Sequence, residues 1–128
     1  MADYPDGTMQ VVIVVPVPAV SLETAIGIVN RYTGVDTSYQ VLCQWIVTVA
    51  KTGQLAEVSM TADNFDKAVW ELDVGSEVVM VDDVIQNALT LPFSSLSMAP
   101  GTIVTLSVKS SDGTAIVADG SISGKEIG

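Results

Sequence analysis

The 128-residue chain has no histidine, one cysteine (Cys43) and five basic side chains (Arg31, Lys51, Lys67, Lys109 and Lys125) against fifteen acidic ones. Without imidazole, every mechanism that needs a histidine base or ligand is excluded, and a lone cysteine excludes an intrachain disulfide. The formal charge of −10 repels nucleic acid phosphates and anionic lipid, so neither is an expected partner. Aromatic residues amount to 5%, which leaves few large rings to seal a core. No uninterrupted apolar run reaches the roughly 18 residues of a spanning helix, and the N-terminal Met-Ala-Asp-Tyr-Pro-Asp-Gly lacks the basic region of a secretory signal. The reading is of a chain that stays where it is made and does not enter a membrane.

What is present is a composition that folds: 48% apolar and 16% charged, far from the polar, highly charged range of disordered chains. The length suits one domain. Met9 to Val15 (MQVVIVV) is apolar at nearly every position, as in a strand covered on both faces, and the following Pro16-Val17-Pro18 places its end at a sheet edge or outside the sheet. Leu22, Ala25, Ile26 and Val29 follow i, i+3, i+4, i+7 behind Ser21 as N-cap, which predicts a helix over Ser21 to Tyr32, with Gly27 weakening it.

Ser38 to Ala50 reads as the longest strand, and Lys51-Thr52-Gly53-Gln54 turns it into a returning strand over Leu55 to Met60. Phe65, Ala68, Val69 and Leu72 predict a second helix over Asn64 to Leu72, with Trp70 on its outer face. A short strand over Val74 to Val81 and a helical turn from Val84 to Leu89 follow. Thr102 to Lys109, Ser110-Ser111-Asp112-Gly113 and Thr114 to Ala118 read as a hairpin. The expected fold is α+β, mainly an antiparallel sheet or sandwich with two short helices. It forms a single domain over residues 1–128, with extended segments at 1–8 and 120–128, the latter flexible by composition.

No catalytic motif emerges. Cys43 has no neighbouring cation to lower its pKa and reads as a buried, inert thiol. Asp82 and Asp83 point in different directions and read as capping residues, and Asp63 and Asp66 suit a helix start. No EF-hand, phosphate loop, dinucleotide fingerprint or zinc spacing occurs, so neither cofactor nor metal is expected and the protein reads as no enzyme. A carboxylate-based hydrolase is the weakest alternative, since no acidic pair stands out. The informative residues are candidates for contact: Trp70 as an anchor, Val11 and Ile13 on the apolar N-terminal strand, and Tyr4 and Ile127 in the two termini.

In size and texture, with its histidine-free acidic composition, its extended termini and hairpins such as TIVTLSVKSSDGTAIV, the chain resembles the decoration or cement proteins of tailed bacteriophage heads. The resemblance has no diagnostic motif. It implies a virion structural protein, assembled in the host cytoplasm, that bridges subunits of the major capsid protein and copies of itself as a homo-oligomer, often a trimer. The alternatives are a phage tail or baseplate component, or a small-ligand or carbohydrate-binding module that stacks sugars on Tyr4, Tyr39 or Trp45.

Overall fold

The computed structural model describes residues 22–128, and every regular element in them is a strand: β1 (Glu23–Gly34), β2 (Gln40–Ile46), β3 (Thr52–Ala62), β4 (Ala68–Val74), β5 (Glu77–Asp83), β6 (Leu89–Met98), β7 (Ile103–Ser110) and β8 (Ile116–Ile127). They form two antiparallel sheets with strand orders β1-β8-β3-β6 and β2-β7-β4-β5. The pairing is nested. Glu23 lies opposite Ile127, Gln40 opposite Val108, Gly53 opposite Met98 and Val74 opposite Glu77, so the chain behaves as one long hairpin folded about Gly75-Ser76. Additional pairing of β3 with β8 and of β4 with β7 rolls that hairpin into a sandwich, the jelly-roll arrangement. Gly75 (φ +61°) starts the two-residue turn, where a positive φ is needed at the first central position.

The expectation of an α+β fold is therefore corrected to all-β, and both predicted helices are strands. Over Ser21 to Tyr32, the described residues form β1, whose inward side chains Ile26, Ile28 and Tyr32 pack on the core at a period of two. Val29, on the predicted helical stripe, is 79% exposed. Over Asn64 to Leu72 the helical signal is a single tight turn, in which Lys67 and Ala68 N–H donate to the Asn64 carbonyl (3.1 and 3.2 Å), before β4 begins. In β4 the residues Ala68, Trp70, Leu72 and Val74 alternate inward, and an apolar Val69 beside them had completed a false helical spacing. The strand expected at Val74 to Val81 is broken by the Gly75 turn into β4 and β5, and no helix follows between Val84 and Leu89.

Both expected hairpins are sheet-to-sheet crossings. β2 and β3 lie in opposite sheets, as do β7 and β8. The second crossing is held by Ser110, whose hydroxyl donates to the Thr114 carbonyl (2.7 Å) and accepts from Gly113 N–H (3.0 Å). Gly120 to Ile127, expected to be flexible, is the second half of β8, flanked by β1 and β3 in mid-sheet.

The core lies between the sheets around Trp45, Trp70, Leu55, Leu72, Leu106 and Ile122. Small residues of β8 make room for it. A Cβ on Gly124 would collide with the Gln54 carbonyl and come within 2.9 Å of the Trp45 ring, and one on Gly120 would meet Leu42 and Leu106 at 2.6 and 2.7 Å. A bulge between Val41 and Cys43 turns the adjacent Leu42 and Cys43 both inward. Between these glycines and beyond them, β8 turns Ile122 and Glu126 inward as well. Glu126, 4% exposed, accepts from Trp45 Nε1 (2.9 Å) and from Thr48 N–H (3.0 Å), tying the end of β8 to the β2–β3 crossing.

Candidate interaction surface

The expected contact residues are divided by the fold. Trp70, assigned to an outer helix face, is fully buried at 0% exposure on the inner face of β4, because strand geometry turns alternate side chains inward. It is a core residue. Ile127 is partly exposed at the end of β8, opposite Glu23 and Thr52. Tyr4, Val11 and Ile13 lie outside the described residues. Of the stacking candidates, Trp45 is buried. Tyr39 has Lys109 Nζ over its ring at 4.3 Å and its hydroxyl engaged by Asp82, donating to Oδ1 (2.6 Å) and accepting from the backbone N–H (2.9 Å). Burial first, then the bond to Asp82, pushes the Tyr39 phenol up to about 12.

The chemistry-bearing residues have structural partners. Cys43 is buried, its thiol 4.0 Å from the Ile28 carbonyl and pushed up by burial. Asp82 is held below the usual carboxylate range by Tyr39 and by Lys109, which lies 3.4 Å away. Asp63, expected at a helix start, instead accepts from Val117 N–H through Oδ1 (2.9 Å) and closes the end of β3 on β8. Glu71 and Asp73 share the outer face of β4. Burial, reinforced by Asp73 and Asp82, raises the Glu71 carboxyl. Among the described residues no group of three or more acidic or cysteine side chains is placed to hold a metal ion. No helix among them is long and apolar enough to cross a membrane.

The two outer faces differ. Across the β1-β8-β3-β6 sheet, Val29, Ser121, Ser59 and Thr90 form one row, with Ser59 and Thr90 hydroxyls bonded at 3.1 Å. The next row carries the bidentate Arg31–Asp119 pair (2.7 and 3.0 Å). Small side chains leave a shallow hollow of about 220 Å³ there, open to solvent and floored by Gly120 and Ser121. The β2-β7-β4-β5 sheet is more apolar outside: Ile46 beside Ile103 in one row, then Gln44, Thr105, Asp73 and Val78, then Val41, Ser107 and Glu71. Val41, Ile46, Ile103 and Val78 are all exposed.

Exposed apolar side chains continue onto β5, the last strand of this sheet among the described residues. Val78, Val79 and Val81 are exposed, as is Val84 just after it, and only Met80 turns toward the core. Sequence reasoning placed a Val-rich strand here but gave it no role in contact. The signal available was apolar residues at consecutive positions with no compensating charge between them, in a short strand behind a Gly turn. Compared with protein-family models and with curated proteins, the chain matches none.

Proposed function

We propose that the protein is a non-catalytic structural protein of a phage particle, one that decorates the capsid by bridging coat subunits and copies of itself. The observation that carries this reading is the set of exposed apolar side chains on the outer face of the β2-β7-β4-β5 sheet, Val41, Ile46, Ile103 and Val78, together with Val79 and Val81 of β5, which pairs only with β4 among the described residues. Exposed apolar residues that continue from a sheet face onto its edge mark a surface made to be covered by protein. The rolled two-sheet architecture supports the same reading, since it packs into shells and presents flat faces and edges to neighbours, although it also serves sugar-binding domains. Against sugar binding, Trp45 is in the core and the Tyr39 ring face is covered by Lys109. The net charge of −10 keeps the free protein soluble until a partner covers the exposed apolar side chains.

The test is co-sedimentation of the purified protein with isolated phage heads and, separately, with tails from the same preparation. Saturable binding to heads that is lost in Ile46→Lys/Ile103→Lys supports decoration. Binding to tails alone moves the assignment to a tail or baseplate component, and binding to neither refutes the reading.

A further inference from the structure

Period-two alternation turns Trp70, Leu72 and Val74 of β4 into the core and leaves Glu71 and Asp73 on the outer face, about 7 Å apart along the strand. Their neighbours across the sheet are uncharged: Ser107 and Val41 beside Glu71, Thr105, Gln44 and Val78 beside Asp73, and Ile46 with Ile103 one row on. Two carboxylates thus sit in the middle of a face whose exposed large side chains, Val41, Ile46, Ile103 and Val78, are apolar. Both are half-buried. Asp73 Oδ1 is enclosed and accepts no hydrogen bond among the described residues. Burial first, then Asp73 and Asp82, raise the Glu71 carboxyl, and Lys109 only tempers the effect. The pair carries charge that its surroundings do not neutralise.

The basic side chains of this chain are all committed elsewhere. There are five. Arg31 pairs with Asp119, Lys67 with Asp112, Lys125 with Glu23 and Lys109 with Asp82, while Lys51 acts on Glu126 near the end of β8. Residues 1–21 contain no lysine, arginine or histidine, so they bring no cationic side chain either. A second copy offers the same five, each committed in the same way. The compensating cation belongs to another molecule. The valines and isoleucines around the pair narrow its kind: a small inorganic ion or a polyamine would leave them in water, whereas a protein surface covers them. Among protein cations arginine fits best, since its guanidinium is weakly hydrated, lies flat on apolar neighbours and can donate to two carboxylates from different edges.

We infer that the outer face of the β2-β7-β4-β5 sheet docks a different protein through an arginine set among apolar side chains, its guanidinium shared by Glu71 and Asp73 and its neighbours resting on Val41, Ile103 and Val78. The inference deepens the capsid reading, on which it rests for the partner's identity, by giving the chemistry of the coat surface.

The test titrates the full nitrogen-15-labelled chain with a capped leucine-arginine-leucine tripeptide at millimolar concentration, and with the same tripeptide carrying citrulline, a neutral isostere, in place of arginine. The arginine peptide should shift the amides of Glu71, Asp73, Thr105, Ser107 and Val78 saturably, and the citrulline peptide should not. Glu71→Gln/Asp73→Asn should weaken binding about tenfold, the scale of one lost charge-assisted hydrogen bond. Glu57→Gln/Asp66→Asn removes the same charge from the opposite sheet and the β3–β4 turn and should leave binding unchanged. The first pair relieves repulsion, so its melting midpoint should hold or rise. If it does not fold, the citrulline peptide still decides. No saturable shift, shifts scattered over the acidic surface, equal loss in both charge pairs, or equal binding of the citrulline peptide overturns the inference. Isolated phage heads separate it from decoration: heads that bind the native and Glu71→Gln/Asp73→Asn chains alike overturn the inference and leave decoration standing. Tripeptide binding at this face with no binding to heads does the reverse.

Discussion

The two buried tryptophans offer a controlled comparison, because the same substitution removes a satisfied indole N–H in one and an unsatisfied one in the other. Trp45 Nε1 donates to the Glu126 carboxylate at 2.9 Å, whereas Trp70 Nε1 is buried with no partner among the described residues. Trp→Phe deletes similar volume at each site, so the cavity terms are comparable. At Trp45 the change also loses a hydrogen bond to a charged group, worth about 1.5–3 kcal/mol, while at Trp70 it removes an orphaned donor and recovers part of a penalty of about 1–3 kcal/mol. Trp45→Phe should therefore be more destabilising than Trp70→Phe by about 2–4 kcal/mol, a gap on the order of 10 °C in melting midpoint for a domain of this size.

Urea unfolding followed by dichroism, at pH 7, measures both. Acid gives an independent check. The Trp45 bond, then Thr48 N–H, holds the Glu126 carboxyl below its ordinary value. A depressed folded pKa contributes stability that is fully present above the unfolded value and is lost as pH falls through the folded one. The gap between the two variants should consequently be constant from pH 7 to about 5 and narrow below about pH 4. Equal losses at the two sites, or a larger loss at Trp70, would refute the assignment of Glu126 as the group that stabilises Trp45.

Other predictions follow from packing and charge. Gly124→Ala should destabilise by several kcal/mol, roughly the scale of severe overpacking, because its Cβ meets the Gln54 carbonyl and the Trp45 ring. Gly27→Ala, with nothing within 4 Å, should leave the melting midpoint unchanged or slightly raised. Arg31→Ala should leave stability at physiological salt unaltered, since the Arg31–Asp119 pair is exposed. Lys67 and the Thr114 contacts hold Asp112 well below the usual carboxylate range. Asp112→Asn should remove part of the stability lost on acidification, read as a smaller drop in midpoint between pH 5 and pH 3.

How much of this was legible in the chain depends on the length scale of the signal. The absence of histidine, the single cysteine, the acidic charge and the Val-rich segments follow from composition, and several strands were marked by it: β2, β3 and β7 lie close to where alternation placed them. The turn signal at Asp112-Gly113 was also real as a place where the chain reverses, but the one at Lys51-Thr52-Gly53-Gln54 was not: the chain turns at Thr48 to Lys51, where Lys51 N–H donates to the Thr48 carbonyl, and Thr52, Gly53 and Gln54 belong to β3. Strand partners were not legible, because a reversal that pairs two adjacent strands and one that carries the chain to the opposite sheet use the same residues. Leu22, Ala25, Ile26 and Val29 satisfied a helical spacing by chance, and so did Phe65, Ala68, Val69 and Leu72. Short apolar runs fit both periods, and pairing with distant strands chose between them.

Composition alone determined that this chain has the apolar content for a core, has no imidazole, can form no intrachain disulfide and bears a formal charge of −10. Tertiary structure alone decided that Trp70 faces inward, that the glycines of the C-terminal segment are sites of close packing where composition suggested flexibility, and that β5 pairs only with β4 among the described residues. The reason is that burial and edge exposure belong to strand order, which here joins residues as far apart as Glu23 and Ile127. No local stretch of sequence contains that information.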